Sequence, residues 1–114
     1  MGNTIEFQEF DAVDLRVGKI VTAEKVPKSK NLLKLQVDIG EEKPRQILSG
    51  ISAWYKPEEL VDLFIIVCTN LKPRKMMGIE SQGMLLAADV GGKAILLKPD
   101  EKLQDKLKPG AKIQ

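Results

Sequence analysis

Histidine is missing from this 114-residue chain, and cysteine, tryptophan and tyrosine occur once each. Without imidazole there is no His-ligated zinc and no histidine general base, and a single thiol cannot close an internal disulfide or build a thiolate cage. Cys68 lies inside an apolar run and reads as a buried small hydrophobe. No apolar run approaches the roughly 20 residues of a membrane-spanning helix, and no signal-peptide pattern opens the chain; a cytoplasmic protein without membrane contact is expected. The carboxylates Asp14, Asp38, Glu80 and Asp89 show no spacing that defines an acid–base pair or a metal site. Catalytic residues, metal and cofactor are therefore all expected to be absent.

What is present is 43% hydrophobic and 30% charged, the balance of a folded soluble domain, and the length suits one domain over residues 1–114. Net charge is only +2, but its distribution is uneven. Glu6, Glu9, Asp11 and Asp14 open the chain without a cation, whereas residues 16–34 hold six cations against Glu24 alone. Segregation of this kind gives a nearly neutral protein one basic face.

Residues 4–13 predict a short helix with Thr4 as N-cap, its Phe7, Phe10 and Val13 forming an apolar stripe docked on the end of a sheet or barrel. A β-branched strand follows over 15–26, with a bulge or bend expected at Gly18. Alternation is cleanest at 33–39: Leu33, Leu35, Val37 and Ile39 face one way, Lys34, Gln36 and Asp38 the other. Further strands are expected at 45–49, 63–69, 84–89 and 93–97, with Pro57 starting a helix over 57–61. Trp54 is assigned to core packing, with a base-stacking platform as the alternative. The tail beyond Pro99 is expected to add a final strand or to contact a partner. Short strands separated by turns, without βαβ alternation, favour a five-stranded, all-β barrel of the OB type. A short N-terminal helix, a helix between strands 3 and 4 and a C-terminal extension complete it.

Residues 70–86 join two of the most apolar runs and carry the functional signal. Lys72, Arg74 and Lys75 crowd around Pro73, and Asn70, Ser81 and Gln82 lie close to the strand ends. Cations on a stiff turn between core strands keep a fixed geometry, which suits an array of phosphates. Lys72, Arg74 and Lys75 are assigned to phosphates, Arg74 with a bidentate reach. Asn70 and Ser81 either bond RNA or hold the loop backbone, and Met84 is expected in the core.

The run Asn70-Leu71-Lys72-Pro73-Arg74-Lys75, followed by Gly78-Ile79-Glu80-Ser81-Gln82-Gly83-Met84, resembles the signature of the structure-specific tRNA-binding domain family. The resemblance extends through Asp14-Leu15-Arg16-Val17-Gly18, residues 32–40, Ser49-Gly50-Ile51 and Pro57-Glu58-Glu59-Leu60, and so covers nearly the whole chain. It implies an OB-fold, usually a homodimer, that grips the outside of the tRNA elbow and does not read the anticodon. Such modules are appended to methionyl-tRNA synthetases or stand free. The implied tRNA-binding residues are Asn70, Arg74, Lys75 and Ser81, with Lys72 and Gln82 beside them and Arg16 and Lys34 on the adjoining face. The scarcity of aromatics points to phosphates, 2′-hydroxyls and shape rather than to stacked bases. With no histidine for a HIGH motif, and with Lys28-Ser29-Lys30 unlike a KMSKS loop, the chain alone is expected not to aminoacylate tRNA. A chaperone-like secretion protein belongs to the same family. Its motif differs after the prolines and lacks the run 80–84, which leaves a dimeric protein-binding module as the alternative.

Overall fold

In the computed structural model, which describes residues 2–114, the alternating stretch becomes β2 (Leu33–Asp38), with every second side chain buried. It lies between β1 (Leu15–Lys25) and β3 (Arg45–Ser49) in an antiparallel meander. On its other side β1 pairs with β4 (Phe64–Cys68), which in turn pairs with β7 (Met84–Leu85), giving the sheet order β3-β2-β1-β4-β7. The sheet curls into a nearly closed barrel of the OB type. Inside it Ile20, Leu33, Leu35, Ile47 and Ile65 are wholly buried, each contributing about 1.5–3 kcal/mol of apolar transfer. Helix α2 (Pro57–Leu60) starts on Pro57, where a missing N–H costs nothing, and drives Leu60 into the same core. Cys68 is buried and free.

Gly18 works by close approach rather than by a bulge. A Cβ there would stand 2.7 Å from Val37 Cγ1 and 3.1 Å from Val67 Cγ2, so only glycine lets β1 pass between its neighbours. The register shift in β1 instead falls between Ile20 and Thr22.

Four other expectations are corrected. Helix α1 is confined to Phe7–Asp11, with Glu6 rather than Thr4 as N-cap. Its end is fixed by Asn70, whose Oδ1 accepts from Asp14 N at 2.9 Å and whose Nδ2 donates to Ala12 O at 2.7 Å. Its apolar stripe is not buried among the described residues: Phe7 is 72% exposed and Phe10 44%, and the two rings pack on each other at 6.3 Å. The strand expected over 84–89 is broken at Leu86. There the chain leaves β4, Leu86 N donating its last bond to Ile66 O, and passes to β8 (Ala87–Val90), which pairs with β9 (Lys93–Leu96). Met84, expected in the core, is 45% exposed at this break.

The tail forms a 3-10 helix over Glu101–Lys106 and then returns to the barrel. Gly110 N donates to Val17 O at 2.7 Å, Ala111 O accepts from Val17 N at 2.9 Å, and Ile113 N donates to Leu15 O at 2.9 Å. The last residues thus add a short antiparallel bridge to β1, paired at Arg16 and Lys112.

Candidate nucleic-acid interface

Residues 70–83 are not a plain turn. Pro73 is followed by β5 (Arg74–Met76), which pairs with β6 (Ile79–Ser81). The connection is Met77-Gly78 with φ of 54° and 76°, the positive pair a two-residue hairpin needs. Arg74 stands opposite Ser81, and Lys75 opposite Glu80. Lys72, Arg74 and Lys75 are all exposed, and among the described residues none makes an ion pair with a carboxylate. Arg74 Nη2 has one weak side-chain neighbour, Met76 Sδ at 3.7 Å.

The hairpin is fastened to β3 mainly through side chains. Ser81 Oγ, buried, accepts from Leu48 N at 3.0 Å and donates to Gly83 O at 3.1 Å. Gln46 Nε2 donates to Glu80 O at 2.8 Å, while Gln82 N donates to Gln46 O at 2.7 Å. Gln82 Oε1 accepts weakly from Gln46 N at 3.3 Å. These bonds bring the open edge of β3 to the 80–83 segment. Of the polar residues expected here, Asn70 and Ser81 therefore use their side chains to hold backbone. Gln82 is exposed, and among the described residues its side-chain Nε2 makes no hydrogen bond.

Arg16 and Lys34, unlike the hairpin cations, are each paired with a carboxylate. Lys34 Nζ pairs with Glu24 at 2.8 Å, in a hollow that also takes in Ile79 of β6, so it adjoins the outer flank of the hairpin. Arg16 lies near the foot of the loop, in a hollow shared with Arg45 and Thr69, clamped by Asp14 at 3.1 Å and by Gly110 O at 3.2 Å. The Arg16 guanidinium, helped by the Thr69 hydroxyl, holds the Asp14 carboxyl below its ordinary range.

Arg45, not singled out from sequence, sits at the foot of the loop. Its guanidinium grips Glu41 with Nε at 2.9 Å and Nη2 at 2.8 Å, and donates through Nη1 to Thr69 O and Gln82 O. It ties the start and end of the 70–82 excursion together, and its hydrogen bonds, with its charge, hold the Glu41 carboxyl below its ordinary range. The sequence signal was the four-residue spacing of Glu41 and Arg45, a pair that the bend between β2 and β3 brings into contact. Trp54, assigned to the core, is 42% exposed. Among the described residues no three metal-ligating side chains come together.

The family model described as "Putative tRNA binding domain" matches residues 15–108. A methionine–tRNA ligase of Methanosarcina acetivorans is 49% identical over 111 residues, 96% of this chain, but the chain spans only 15% of that ligase's length. Among solved structures, a methionyl-tRNA-synthetase-related protein from Pyrococcus horikoshii superposes with a TM-score of 0.89 at 37% identity. That match covers 99% of this chain and 100% of the other. The chaperone CsaA of Bacillus anthracis superposes at 0.84 with 29% identity, covering 98% and 100% of the two chains. The chain belongs to the tRNA-binding domain family, a non-catalytic module that occurs within methionine–tRNA ligases and on its own.

Proposed function

We propose that the chain is a single domain that binds tRNA by shape and backbone rather than by sequence, through the β5–β6 hairpin and the barrel surface beside it. The observation that carries this reading is the set Lys72, Arg74 and Lys75, exposed, unneutralised by carboxylates and held on a hairpin locked to β3. Arg74 and Lys75 engage phosphates, with Lys72 and Gln82 beside them and Lys34 on the flank. Asn70, Ser81 and Arg16 position the loop and the adjoining edge. A module of this kind raises an enzyme's hold on tRNA by tethering, and within a cytoplasmic methionine–tRNA ligase it would act through effective concentration. The reading includes a homodimer, supported by exposed Val90, Ile95 and Leu97 on and beside the β8–β9 hairpin.

The likeness to the chaperone CsaA favours a second reading, a dimeric protein-binding module that uses those same apolar side chains. Titration with folded tRNA across a salt series, against unpaired RNA and an unfolded polypeptide, separates the two. Phosphate contacts give an affinity that falls steeply with salt and a preference for folded tRNA. Salt-insensitive binding of the polypeptide, with no binding of tRNA, would overturn the tRNA reading.

A further inference from the structure

We infer that a groove running from Leu71 to Trp54 takes unpaired nucleotides of the bound RNA, as a subsite adjoining the phosphate contacts of the β5–β6 hairpin; this rests on the tRNA-binding reading above. The groove has two parts. The first is a cleft of about 220 Å³ between the end of β3 and residues 71–84, walled by Leu71, Met76 and Met84, with Lys72 and Arg74 on its rim. The second is a hollow of about 260 Å³ against the β8–β9 hairpin, lined by Trp54 and Lys93. Gly50 borders both.

The chemistry selects the occupant. No carboxylate lines the first part. In the second, the carboxylate of Asp89 is already committed to the turn, its Oδ1 accepting from Gly92 N at 2.9 Å. Leu71, Trp54 and Met84 are large apolar side chains left 46%, 42% and 45% exposed, next to cations at either end. Apolar and indole surfaces flanked by cations match base faces joined by phosphates. The faces of paired bases are hidden in their stack, so the ligand must be nucleotides that have left a duplex.

Gly50 supplies the test. A Cβ placed there meets nothing within 4 Å, so Gly50→Leu is expected to enter the passage without displacing the barrel. Trp54 is the only tryptophan and reports on its own surroundings by fluorescence. Folded tRNA and an unpaired RNA hexamer are expected to quench it, and the same sugar–phosphate chain without bases is not. Gly50→Leu is expected to keep the thermal transition, lose the quench and weaken tRNA binding about tenfold. Trp54→Ala, read by competition with labelled tRNA, is expected to weaken binding to a similar extent. Undiminished tRNA binding by both variants, with no quench in wild type, would overturn the groove while leaving the tRNA reading intact. So would quenching by an unfolded polypeptide and not by RNA, or a Trp54 spectrum that changes with protein concentration alone. Failure of any tRNA binding would bring down both readings.

Discussion

Two hairpins stand outside the barrel sheet, and they are built alike. β5–β6 turns on Met77-Gly78 and β8–β9 on Gly91-Gly92, each pair with both φ positive, at 54° and 76° in one and 60° and 84° in the other. Both are too small to persist alone, so each needs an anchor. The anchors differ. β5–β6 is held to β3 by Ser81, Gln46 and Gln82, whereas β8–β9 is held by Leu97 N donating to Leu86 O and by Tyr55, whose hydroxyl accepts from Leu96 N at 3.1 Å. The faces they offer differ as well: Arg74 and Lys75 on the first, Val90 and Ile95 on the second. One backbone device thus presents charge in one place and apolar surface in another. What a hairpin does is decided by its side chains and its footing, not by its turn.

Removing the charge from one hairpin should have the largest effect. Arg74→Ala combined with Lys75→Ala is expected to weaken tRNA binding by roughly tenfold per cation, and to reduce the salt dependence by about two counterions, while urea unfolding stays unchanged. An unchanged salt slope would move the site off β5–β6. Cutting the footing of the same hairpin comes next. Ser81→Ala leaves the buried Leu48 N–H without an acceptor and should cost about 1–3 kcal/mol in urea unfolding, with tRNA binding reduced as the hairpin loosens. On the other hairpin, Tyr55→Phe should cost about 1 kcal/mol and weaken tRNA binding less than Ser81→Ala does. An equal or larger loss would make the β8–β9 footing as important to tRNA as that of β5–β6.

The turns give a smaller contrast. Met77 pays for a left-handed backbone that glycine adopts freely, so Met77→Gly should stabilise by up to about 1 kcal/mol, and Gly91→Ala should destabilise by a similar amount. Both are read from thermal unfolding. The smallest effect concerns the frame beneath. Asp14 and Glu41 are held below their ordinary range by Arg16 and Arg45, so their contribution is fully present above the ordinary carboxylate pKa. It is lost as pH falls through the lowered folded values. Stability should therefore be flat from neutrality down to the carboxylate range and decline below it. Asp14→Asn should flatten part of that decline, modestly because the ion pair is part-exposed.

The barrel was legible wherever one face of a strand is buried, because alternation with period two admits one register. That is why 33–39 and 45–49 fall where expected, and why Pro57 marked the start of its helix. The candidate site was legible in its residue types but not in its layout. Lys72, Arg74 and Lys75 stand out in sequence, yet nothing local in 70–83 announces a hairpin whose first turn residue is a methionine. The aromatics misled for a physical reason: a short apolar periodicity such as Phe7, Phe10 and Val13 signals a face and not what covers it. Trp54 likewise carries no local mark of exposure.

The alternation over 33–39, the helix start at Pro57 and the absence of imidazole are properties of single residues and their neighbours, and the chain determines them unaided. Its motif runs also carried the family. The tertiary structure alone decided that Asn70 ends a helix 58 positions earlier, that Ser81 serves Leu48, and that Arg45 joins the two ends of the loop. Each is a bond between residues distant in sequence. Such bonds form only after the strands have closed, since a side chain cannot select its partner until packing has brought the two within reach.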